Sequence, residues 1–206
     1  MKKFRWLGVL LPIAGVAFLA LAVLPSGASG DSGNAKMRWD IISLDAATVT
    51  ISEGGHASAF ATTSGGTTPS AKITVTGHGT FRSNSGNPQD VTGGGTWQTF
   101  DAVGNPTGNG TYEVTGLVDF HLAPGFLPAA VTDTIGTDPH SGLVTLRVGY
   151  SDGTDGVLIV SCDLPGNLQP DIFEGVTASK GYVDYWQRDP AVAGVDANRT
   201  EFHQLH

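Results

Sequence analysis

Three copies of one five-residue pattern, Gly77-His78-Gly79-Thr80-Phe81, Gly93-Gly94-Gly95-Thr96-Trp97 and Gly108-Asn109-Gly110-Thr111-Tyr112, stand about 16 residues apart. In a strand, side chains alternate between faces, so both glycines and the aromatic ring of each copy share one face, while His78, Thr80 and Arg82 take the other. Glycine weakens a strand interior unless the sheet bends sharply there or another group packs on the bare backbone. The repeat therefore predicts a strongly curved antiparallel sheet whose glycines are covered by rings.

The rest of the chain agrees with this reading. Apolar alternation or β-branched runs mark strands at 38–44, 47–52, 56–63, 71–83, 93–101, 108–122, 143–150, 157–162, 173–177, 181–187 and 200–204, separated by clusters of Gly, Asn, Asp and Pro. Short connections imply antiparallel neighbours, and this many strands do not form one flat open sheet. The expected fold is all-β: a single meander closing into a β-barrel, with a two-sheet sandwich as the alternative. Two segments are longer than the hairpin loops, 124–141 with three prolines and 189–198, and long loops are where function concentrates.

Residues 1–30 have the layout of a signal peptide. Lys2, Lys3 and Arg5 precede an apolar run from Trp6 to Pro25, and Ser26, Gly27, Ala28, Ser29 and Gly30 supply a small-residue exit, with cleavage after Ala28 or Gly30. An uncleaved anchor is the competing reading, disfavoured by Pro12 and that exit. Residues 31–36 read as a flexible arm and 37–206 as the all-β domain. The expected location is outside the cytoplasm, secreted or periplasmic, in the cysteine-poor style of bacterial exported proteins. Removing the leader takes away three of the 11 basic residues and no acidic one, leaving the remainder more acidic than the whole chain's formal −8. Such a surface repels phosphate backbones and anionic lipid, so neither nucleic acid nor membrane is an expected partner, whereas calcium is an admissible ligand. The single cysteine, Cys162, forbids an intrachain disulfide.

Candidate chemistry falls into three groups. Asp119 and His121, two apart on one strand, project side by side as a carboxylate-oriented general base if their face lines a cavity, or as a solvated stripe if Val118, Phe120 and Leu122 point inward, the orientation we expect. Tyr182, Asp184, Trp186 and Arg188 share a strand face near Glu174, an aromatic and charged mixture suited either to a ligand-binding wall or to an exposed sheet face. Asp133, Asp138 and His140 in the long segment are candidates for a calcium or substrate contact. The glycine copies lack the helix that a phosphate-binding loop requires. Asp152-Gly153-Thr154-Asp155-Gly156 reads as a hairpin turn, and His203 and His206 as a frayed terminus. In that hairpin the expected pairs are Val148 with Leu158, Leu146 with Val160, and Val144 with Cys162, all on the core face.

Without a catalytic signature, the sequence supports three roles: non-catalytic binding of a small molecule or surface partner, a hydrolase or isomerase using His and carboxylate acid–base chemistry, or a structural component of an envelope or matrix. A monomer or small homo-oligomer is expected.

Overall fold

A computed structural model describes residues 34–62, 69–84, 87–165 and 171–206; the expected leader and the first half of the expected arm lie outside them. The strands, in chain order, are β1 (Lys36–Asp45), β2 (Thr50–Glu53), β3 (Ala57–Thr62), β4 (Pro69–Val75), β5 (His78–Arg82), β6 (Val91–Phe100), β7 (Pro106–Ala123), β8 (Thr132–Asp133), β9 (Pro139–Tyr150), β10 (Asp155–Cys162), β11 (Gly175–Lys180), β12 (Val183–Tyr185), β13 (Gln187–Arg188) and β14 (Gly194–Leu205). Six of them, β1, β5, β6, β7, β9 and β14, pair in a closed antiparallel ring. The barrel is thus the observed architecture. The other strands branch from it: β2 from β1, β4 and β3 from β6, and β10, β11 and β12 from β9. The short β12 and β13 are separated only by Trp186 and join the free edges of β11 and β3.

The glycines do what curvature demands. Gly79 and Gly93 lie against the indole of Trp39, Gly108 and Gly110 against that of Trp97, and Gly77 (φ +150°) against the Tyr112 hydroxyl. Rings cover the glycines, yet Trp39 lies outside the repeat, and Phe81 packs instead on Phe120 and Phe202, with centroids 4.8 and 6.3 Å away. These rings fill the barrel interior together with Met37, Ile41, Val144, Leu146 and Val148. Three of the polar tips are satisfied, Trp97 Nε1–H donating to Thr111 O (3.0 Å) and the hydroxyls of Tyr112 and Tyr150 to Thr76 O and Ser179 O, whereas the buried Trp39 Nε1–H has no hydrogen-bond partner among the described residues.

Four sequence expectations need correction. The run 71–83 is two strands, because the chain turns at Gly77 and leaves the β3–β6 ladder for the β1–β6 ladder. The β9–β10 register is two residues from the one expected: Leu158 faces Leu146, Val160 faces Val144 and Cys162 faces Gly142. Gly153, at φ +86° with its N–H on Tyr150 O, makes a tighter loop than a five-residue reversal. The core face is unchanged, and Cys162 is fully buried, its thiol pushed well up by desolvation. Along β7, extra residues at Thr115 and Val118 shift the pairing with β9 twice. The inward positions are consequently Tyr112, Val114, Leu117 and Phe120, and Val118 and Leu122 are exposed. Finally, β14 begins at Gly194, six residues before its expected start, and runs to Leu205, so His203 is in a ladder.

Candidate functional site

Because the barrel is filled with side chains, the concave sites lie on its outer side. A hollow of about 780 Å³ forms where the chain crosses from β12 to β13. Crossing from one sheet edge to another breaks the strand at Trp186, leaving its ring half exposed while the neighbouring Tyr185 stays in the core. Arg188 lies over the ring of Phe173, 4.5 Å from its centroid. Glu174 also lines the hollow. Its Oε2 accepts from Asp163 N–H (2.7 Å) and its Oε1 from Thr200 N–H (2.5 Å), yet desolvation outweighs both bonds and pushes the carboxyl up to about 8. The site thus holds Trp186, Arg188 and Glu174 of the five residues expected near one another. Tyr182 (99 % exposed) and Asp184 point outward too but do not line the hollow.

Asp119 and His121 do pair, Nε2 to Oδ2 at 2.9 Å, on the exposed outer face of β7. Asp119 borders a shallow hollow of about 230 Å³ beneath Asn84 and Pro88. Both side chains are exposed to solvent, and no cavity encloses the pair among the described residues.

The third expected group is divided. Asp138 lies near His140 Nε2 (3.3 Å) and His206 Nε2 (3.2 Å). Asp133 instead faces His203, with Oδ2 2.7 Å from Nε2, and Glu201 lies 3.7 Å from the same nitrogen. Sequence reasoning placed residues 200–204 in a strand, yet it set His203 aside as part of a frayed terminus and did not single out Glu201. Their spacing of two within a strand, which puts both on one face, was the available signal. Next to them, a crevice of about 220 Å³ lies between the long segment and β1–β2, walled by Ile42, Ile51, Leu127 and Val131 and reached by both Glu174 and Glu201. No protein family, curated protein or solved structure matches this chain.

Proposed function

We propose that this is an exported domain that binds a small planar or sugar-like molecule bearing an acidic group, without transforming it, in the hollow between Trp186, Phe173, Arg188 and Glu174. The observation that carries this reading is the half-exposed indole of Trp186 beside a guanidinium already stacked on Phe173. A ring open to solvent offers a stacking face, and the edge of a stacked guanidinium retains donors for an anionic group. The leader-like residues 1–30 support export, and the acidic composition supports a partner other than nucleic acid.

An acid–base enzyme is the second reading, favoured by the crevice that Glu174 and Glu201 share. Burial raises both carboxyls to about 8, a range in which a carboxyl can give and retake a proton near neutrality.

One experiment separates the two. A panel of acidic and neutral glycans and aromatic acids is screened by Trp fluorescence and thermal shift, with product analysis of each mixture. Binding that Trp186→Ala and Arg188→Ala each weaken about tenfold or more, with the ligand recovered intact, supports the binding domain. Turnover abolished by Glu174→Gln and indifferent to Trp186→Ala supports the enzyme instead. No shift with any class of ligand argues against both.

A further inference from the structure

A second site lies apart from the Trp186 hollow, on the outer face of the β1–β14 ladder under the long segment 124–138. In that ladder Arg38 pairs with His203 and Asp40 with Glu201, so the four side chains share the face opposite Trp39, Ile41 and Phe202. Elsewhere a barrel exterior is wet. Here the long segment covers it, anchored by β8 lying parallel to β2, and Asp40, Glu201 and His203 are all buried.

The charges in this layer do not balance. Arg38 holds Asp40 through two hydrogen bonds, Nε to Oδ2 at 2.8 Å and Nη2 to Oδ1 at 2.7 Å, and also pairs with Glu53. Its charge is therefore already engaged. Glu201 is 0 % exposed, and neither of its carboxylate oxygens has a hydrogen-bond partner among the described residues. A buried carboxylate with no donor carries a penalty that native proteins normally relieve with a partner or a metal. The His203 imidazole, 1 % exposed, faces it, with Nε2 at 3.7 Å from Glu201 Oε2 and 2.7 Å from Asp133 Oδ2.

Asp133 is aimed at this point by its own backbone. Its Oδ1 accepts from Ile135 N–H (2.8 Å) and Gly136 N–H (3.4 Å), which turns Oδ2 toward the imidazole. The backbone of Gly136 presses on the His203 ring so closely that a Cβ there would collide with it, so packing fixes the ring orientation. One nitrogen and two carboxylate oxygens from three side chains thus lie within 4.8 Å of one another.

We infer that Asp133, Glu201 and His203 form a binding site for a divalent cation of the zinc or manganese type. A nitrogen with two oxygens suits these ions, whereas calcium takes six to eight oxygens. Donors bound at roughly 2.0–2.2 Å from one ion sit about 3.0–3.5 Å apart. The His203–Glu201 spacing of 3.7 Å is already near that, and the shorter Asp133–His203 contact needs to open only slightly. Two carboxylates and a neutral imidazole carry −2 in all and so neutralise one divalent cation. The ion takes the place of the proton on Nε2 and gives Glu201 the partner it otherwise lacks. This site is independent of the ligand proposed for the Trp186 hollow.

The test uses the full chain stripped with a chelator and titrated by calorimetry with Zn²⁺, Mn²⁺ and Ca²⁺, and by visible absorption with Co²⁺. One equivalent of Zn²⁺ or Mn²⁺ binds and raises the melting temperature, and Co²⁺ develops absorption bands of mixed nitrogen and oxygen ligation. Glu201→Gln and His203→Gln each weaken Zn²⁺ binding about 100-fold or more, whereas His140→Gln, at the neighbouring Asp138 group, leaves it unchanged. Circular dichroism of the metal-free variants checks that they fold. If His203→Gln does not, Mn²⁺ decides the matter in the unsubstituted protein by broadening the His203 ring signals ahead of those of His56 and His121. The inference is overturned by absence of one-equivalent binding, by binding of Ca²⁺ alone, by Zn²⁺ binding that persists in Glu201→Gln, or by broadening that spares His203.

Discussion

Glu174 shows how one side chain answers to two demands. Its oxygens take two backbone N–H groups that would otherwise be unpaired, while its surroundings resist its charge, and the net result is a folded-state pKa of about 8 against an ordinary 4.5. A carboxyl raised on folding contributes stability that is fully present below about pH 4.5 and is lost as pH rises through about 8, because the folded state keeps a proton that the unfolded chain releases. Glu174→Gln removes this dependence but turns an NH₂ toward one of two N–H donors, leaving a clash of like groups. We predict that the variant is less stable than the parent by roughly 1–2 kcal/mol at pH 5, and that the gap narrows toward pH 8.5. Denaturant unfolding at pH 5, 6.5 and 8.5 measures this; a gap that widens with pH contradicts the assignment.

Strands as elements were legible in the sequence; their faces were legible only where the pleat is regular. The glycine–aromatic copies identify β5, β6 and the start of β7 because glycine in a strand interior has a physical cost that needs a reason. The bulges at Thr115 and Val118 leave no such mark, since both residues are good strand formers, and each shifts the alternation by one. That is why Val118 and Leu122 were expected inside and lie outside. The candidate sites divide in the same way. Trp186 and Arg188 were visible as a local cluster, whereas Asp133 and His203 are 70 residues apart in sequence and meet only because the long segment folds over β14. The bulges are open to direct test. Leu117→Ala should cost about 2 kcal/mol and Phe120→Ala about 3 kcal/mol, while Val118→Thr and Leu122→Thr stay within about 0.5 kcal/mol. Urea midpoints of the four variants decide it, and a large loss at Val118 contradicts the two-bulge register.

At the scale of the whole molecule, the barrel is shut by its most distant strands. Lys36 lies opposite Leu205, and the β1–β14 ladder continues without a break to Ile42 opposite Arg199. The two ends of the described fold are therefore neighbours in space. We predict that joining them with a short Gly/Ser linker and reopening the chain in the exposed Ser151–Thr154 turn yields a folded protein with the parent's circular dichroism and a cooperative melt; a permuted chain that stays unfolded contradicts the ring. The same closure orders events in time. A chain appearing residue by residue presents β1 first, yet one edge of β1 has no ladder partner until β14 arrives, so the loop entropy of nearly the whole domain must be overcome before the ring locks. Topologies so rich in distant pairings fold in milliseconds to seconds rather than microseconds. Under the export proposed above this delay is useful, since the domain cannot become a rigid plug before its last strand has left the ribosome.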